Sequence, residues 1–236
     1  MATSATRADP ARRSPPSRRL SGRPLAVVMA IVGIAIIAAT DHVIPATSAH
    51  QAQLRVWLAS RAAGIVTLVL LTVQIVFGLL MSHPRNRSTW KQSARWFRWH
   101  EDLWVFVLAF VGAHVLSIAV DPFAGVGLGG ALVPGLSSYR STAVALGTLA
   151  LYALLVTGIT ARWTRLLPAG AWLSIHRFAL VVFALGWSHG LLAGTDSVAL
   201  VALYVVLASA VGGAAAYRYW VTRAAHRPQP LPEVIR

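Results

Sequence analysis

The sequence predicts an all-α polytopic membrane protein, a bundle of six transmembrane helices. Three observations carry that reading. Of the 236 residues, 56% are hydrophobic and only 12% are charged, about half the charged fraction of a soluble domain. Several apolar runs reach the ~20 residues that cross a bilayer. The positive charges, +14 net, gather at the ends of those runs and on alternate loops. That pattern orients membrane helices and does not point to a nucleic-acid partner. With no cysteine in the chain, disulfides and thiolate metal sites are excluded.

The elements follow in order. Residues 1–24 are rich in Arg, Pro and Ser (Arg7, Arg12, Arg13, Arg18, Arg19, Arg23). They cannot bury a core and read as a disordered basic cytoplasmic tail. Residues 25–218 hold six apolar spans, at 25–41, 56–81, 100–120, 141–160, 173–193 and 198–218. The first span is also readable as a signal peptide cleaved near Ala49. Residues 219–236 form a second cytoplasmic tail. Counting Lys and Arg on the two sides gives eighteen against two, with Arg61 inside a span. Both termini are therefore expected on the cytoplasmic side of the cell membrane. Spans one, three and five then run from inside to outside. The "GVGLGG" stretch (Gly125, Gly127, Gly130) has dinucleotide-fold spacing. It follows a membrane span rather than a strand, so it is expected to be a flexible loop.

Eight histidines are present. His42, His50, His83 and His226 fall in predicted loops or the tail and read as solvated. The other four lie in or at the ends of two spans: His100 and His114 in the third, His176 and His189 in the fifth. Ionisable residues at membrane depth are costly and point to function. Both helices run the same way, so His100 and His176 share the inner level, and His114 and His189 the outer one. At ~1.5 Å per residue the levels stand about 20 Å apart. Two such pairs are what two stacked bis-histidine haems require. Fourteen residues separate His100 from His114, about 40° short of four turns, so these two share a face. Thirteen separate His176 from His189, and in a straight helix that pair misses a common face by about 140°.

Read from its first histidine, one segment is "HEDLWVFVLAFVGAHVLSIAVD" and the other "HRFALVVFALGWSHGLLAGTD". These spacings resemble the ferric reductase-like transmembrane domain of ferric reductases, NADPH oxidases and the membrane cytochrome subunit of bacterial methionine sulfoxide reductase. The resemblance spans roughly residues 25–218. It implies two b haems, one held by His100 with His176 and the other by His114 with His189. It also implies electron transfer across the membrane to an outward-facing acceptor: ferric iron, a secreted oxidoreductase or quinone. Arg61, in "SRAAG" near the outer end of the second span, matches an Arg in the oxidases. The implied role is a cation against the propionates of the outer haem or facing its acceptor.

The chain also departs from those relatives. Eighteen residues follow the last predicted span, where ferric reductases and oxidases continue into a domain binding FAD and NADPH. The expectation is a separate cytosolic flavoprotein donor carrying FAD or FMN. Ile118 stands where the oxidases carry a further histidine, which weighs against a superoxide-generating core. A rival class, a transporter or proton relay with titrating histidines, needs acidic partners at membrane depth. Asp41, Asp121 and Asp196 all fall at predicted outer boundaries. Trp99, Trp104, Trp172 and Trp187 fit interfacial belts, the favoured reading, or haem-pocket walls, and Gly186 and Gly190 fit equally the approach of a macrocycle to the backbone or small-residue helix packing.

Overall fold

The computed structural model describes residues 27, 31, 47–81 and 90–225. Among them the structure is helical without strands, and five helical segments are long and apolar enough to cross a membrane. The N-terminal tail and the expected first span, 25–41, lie outside the described residues apart from Val27 and Ile31, and, of the expected C-terminal tail, residues 219–225 instead continue the last helix. The elements are α1 (Ala49–Met81), α2 (Trp90–Val120), a short α3 (Gly127–Leu132), α4 (Ser141–Arg162), α5 (Ala171–His176), α6 (Ala179–Ala193) and α7 (Val201–Ala225). A broken span, α5 followed by α6, corresponds to the expected fifth helix.

Local chemistry explains the boundaries. α2 stops at Asp121-Pro122 because proline has no N–H to continue the ladder. The Asp121 carboxylate is buried and accepts the Phe123 N–H at 3.0 Å, capping the 3₁₀ turn Pro122–Ala124. α4 ends at Trp163, and Gly170, at φ 82°, reverses the chain into α5. Within the spans, hydroxyls return to their own helix. Thr67 donates to Ala63, Thr72 to Leu68 and Thr157 to Ala153, each at 2.8 Å. Such bonds satisfy polar groups where lipid offers no partner.

α1 packs along α2, α4 along α5 and α6, and α7 closes against α1. The two histidine-bearing segments make few backbone contacts with each other. The core between them is Leu68, Leu71, Ile75, Val107, Leu154, Val182, Phe183, Tyr204, Leu207 and Val211. Val107 and Val182, at 0% and 2% exposure, are its most buried members. In lipid such helices associate by close packing rather than by escape from water. Gly158 is a case in point: a Cβ there would overlap the indole of Trp104. Trp104 and Trp187 therefore turn inward onto the core instead of joining an interfacial belt, whereas Trp99 is exposed.

The "GVGLGG" stretch is not a loop. Gly125 and Gly127 take positive φ (64° and 65°), a region open to glycine at little cost, and the chain then enters α3. Gly130 is buried where a Cβ would lie 2.9 Å from Ser137 Cα. The segment is tied down further along. Tyr139 Oη donates to the Ala193 carbonyl at 2.8 Å and Arg140 Nη1 to the Leu192 carbonyl at 2.7 Å. These bonds satisfy last-turn carbonyls of α6, and the segment caps one end of the bundle.

Candidate functional site

The four histidines of the two expected spans meet in two pairs. The rings of His100 and His176 face each other with centroids 5.9 Å apart and planes at 81°. Those of His114 and His189 stand 6.1 Å apart at 68°. The pairings across helices are those expected from chain direction.

Three of the four rings are held in the same way. Nδ1 of His100 bonds the carbonyl of Gln74, that of His114 the carbonyl of Ser60, and that of His189 the carbonyl of Ala143, each at 2.8 Å. A carbonyl only accepts, so Nδ1 carries the proton and Nε2 keeps its lone pair free. That is the neutral tautomer a metal requires. Under each ring lies the glycine one turn past its acceptor. A Cβ on Gly64 would stand 3.1 Å from His114, one on Gly78 3.3 Å from His100, and one on Gly147 2.7 Å from His189. These glycines escape a reading focused on histidines, although a signal exists: Gly64 and Gly78 are fourteen residues apart, the interval between His100 and His114.

His176 differs. Its Nδ1 is buried without a hydrogen bond, although Thr157 supplies a backbone acceptor on that side. One turn past Thr157 stands Ala161, not glycine. The ring's neighbour is Trp172 on the same short helix, with centroids 6.2 Å apart.

The thirteen-residue spacing is partly offset by the break after His176. There Phe178 N bonds Ile175 O, Leu180 N bonds Arg177 O, and Val181 N bonds Phe178 O, at 2.9, 3.4 and 2.8 Å. These i to i+3 bonds are 3₁₀ steps, turning about 120° and rising about 2.0 Å against about 100° and 1.5 Å in an α-helix. Three such steps add about 1.5 Å, the rise of the one missing residue, and overwind the chain by about 60°, part of the roughly 140° shortfall.

Around His114 and His189 lies a cavity of about 200 Å³ with mostly apolar walls, including Gly64, Leu68, Val111, Gly147, Val182 and Gly186. A Cβ on Gly186 would meet nothing within 4 Å, so this glycine opens onto space. Gly190 packs instead against Tyr204, whose hydroxyl would lie 2.9 Å from a Cβ. The cap contributes Val126, Ala131 and Tyr139 to the lining, and Ile118 lines it as well.

Arg61 also lines this cavity and forms an ion pair with Asp196, which lines it too. The guanidinium lies 6.0 Å from the centroid of the Trp57 ring. Trp57 in turn meets Phe123 and Tyr139 edge-on, at 6.1 and 5.8 Å. Sequence reasoning singles out Arg61 but not its partner, which is 135 positions away. At the other level Glu101 faces Arg162 at 3.9 Å, both partly exposed.

Among the described residues no group of three or more His, Cys, Asp or Glu side chains converges on one point. Each level offers two imidazoles and no third protein donor of that kind. Compared with family models, curated proteins and solved structures, the chain matches none.

Proposed function

We propose that this chain is a di-haem b-type cytochrome that carries electrons across the membrane. The observation that carries the reading is the pair of facing imidazoles at each of two levels. With metal–nitrogen bonds of about 2.0–2.1 Å, two rings on opposite sides of one metal have centroids about 6 Å apart. The donor set is neutral imidazole with Nε2 free on at least three of the four rings. Two donors alone make a poor site for a bare ion, so the metal must bring its own equatorial ligands, as haem iron does. The open side of Gly186 and the apolar walls of the cavity are what the edge of a macrocycle at the His114 level would meet.

His100 with His176 would hold one haem and His114 with His189 the other. When bound, haem supplies a one-electron ferric/ferrous couple. The protein's part is to orient the ligands through the carbonyls of Gln74, Ser60 and Ala143, and to separate the levels with the core around Val107 and Val182. Arg61, balanced by Asp196, sets the charge at the mouth of the second level.

Arg98, Arg162, Arg165 and Arg177 cluster near the His100 level, which makes that end cytoplasmic by the distribution of positive charge. Electrons then arrive there from a separate flavoprotein carrying FAD or FMN, drawn to the basic face. They leave at the His114 end for a metal ion, a secreted oxidoreductase or quinone. Ile118 in the cavity wall offers no imidazole for oxygen chemistry. The bonds from the histidines to backbone carbonyls, rather than to carboxylates, give a proton relay no carrier.

Proteoliposomes test the transport directly. With reductant trapped on the side of the Arg-rich face, external ferricyanide is reduced at a rate that requires all four histidines. The same rate from His100→Ala/His114→Ala vesicles contradicts the proposal.

A further inference from the structure

The four imidazoles are not held equally, and the difference falls on one residue. His100, His114 and His189 each sit within a long helix, donate Nδ1–H to a carbonyl at 2.8 Å and rest on a glycine. His176 is held less well. It ends α5, a helix of six residues between Gly170, at φ 82°, and the 3₁₀ break at Arg177–Phe178. Its buried Nδ1 has only the Thr157 carbonyl on that side, outside good hydrogen-bond geometry, and Ala161 takes the place of the glycine. Trp172, its ring neighbour, lies on the same six residues.

A hydrogen bond from the distal nitrogen fixes the angle of a ligating imidazole and raises its basicity, and its loss typically weakens metal binding about 10–100-fold. We infer that His176 is the displaceable ligand of the four, so that the His100 level takes up a small neutral π-acceptor ligand such as carbon monoxide while the His114 level does not. This rests on the di-haem reading. With haem bound, the exchange would break the bond from His176 Nε2 to ferrous iron and form one from iron to the carbon of the incoming ligand. No electron changes hands, and His100 keeps the opposite position.

Carbon monoxide is the probe, applied to the purified full chain in detergent after reduction with dithionite. The expected result is a Soret shift in about half of the haem, with affinity roughly 10–100-fold above that of the remainder. In His114→Ala and His189→Ala protein, which keep the His100 level, the carbon monoxide-sensitive fraction rises to nearly all the haem that stays six-coordinate. Two haems with no shift at any carbon monoxide pressure overturn the inference and leave the cytochrome reading intact, as does a shift confined to the His114 level. Folded protein without haem overturns both.

Discussion

His114 Nδ1 donates to the carbonyl of Ser60 at 2.8 Å, and the hydroxyl of Ser60 returns a hydrogen bond to the His114 carbonyl at 3.3 Å. Ser60 is fully buried. This double link fixes α1 against α2 at one level, and the bond of His100 to Gln74 repeats it fourteen residues along α1. The register of the hairpin is thus set by the residues that orient the rings. Disturbing the seat of one ring should disturb its own level and spare the other.

Gly147 gives the sharpest case. A Cβ there would stand 2.7 Å from His189 Nδ1, so Gly147→Val drives the ring from its seat. Haem content should fall from about two to about one per chain, read by the pyridine haemochrome assay. Gly78→Val, beneath His100, should give the same stoichiometry with the opposite haem retained. The two variants are distinguishable by their reduced spectra and by carbon monoxide binding.

Gly186 separates the empty chain from the loaded one. Its Cβ direction opens onto the cavity with nothing within 4 Å. Gly186→Leu should therefore leave the thermal stability of haem-free protein unchanged or raise it by up to about 1 kcal/mol through helix propensity. In the same variant haem occupancy at the His114 level should drop. Unchanged haem binding would mean that the macrocycle does not lie on this side of His189.

These glycines show where the sequence is legible and where it is not. Polarity at membrane depth made His100, His114, His176 and His189 conspicuous, and chain direction was enough to match them in pairs. The thirteen-residue spacing had no reading in a straight helix, because the 3₁₀ break at Arg177–Phe178 arises from backbone bonds that side-chain periodicity does not reveal. A glycine under a ring looks like any small residue between helices until the partner helix is known. The ordered cap at Gly127–Leu132 was hidden for a related reason. Its glycines read as flexibility when alone, but here they permit close approach to Ser137.

Trp104 and Gly158 form a packing contact that a double-mutant cycle can isolate. Gly158→Leu overfills the space beneath the indole and should destabilise by about 1–3 kcal/mol. Trp104→Ala empties it and should cost about 3–5 kcal/mol. Combined, Gly158→Leu and Trp104→Ala should cost less than the sum of the two, because the new leucine fills the vacated volume. The check is the melting temperature of the solubilised protein.

Arg61 and Asp196 differ in exposure, their side chains being 18% and 45% accessible. Solvent at the Asp196 side holds the coupling of the pair to about 1 kcal/mol. Asp196→Asn should lower stability by about that amount and leave Arg61 as an uncompensated cation at the cavity mouth. A positive charge so placed favours the reduced state of whatever redox group lies beside it. The midpoint potential of the His114 level should therefore rise in Asp196→Asn and fall in Arg61→Gln. Spectroelectrochemical titration reads both shifts, and two shifts of the same sign would break the argument.

The central claim is that four histidines hold two haems in the pairs His100 with His176 and His114 with His189. The most direct test is haem content and reduced spectrum of the purified chain with each histidine replaced by alanine in turn. The account predicts a b-type spectrum at about two haems per chain, with bis-imidazole ligation of one haem lost in His100→Ala and His176→Ala. The other is lost in His114→Ala and His189→Ala. A folded, colourless protein, or four variants that all keep both bis-imidazole haems, would contradict it.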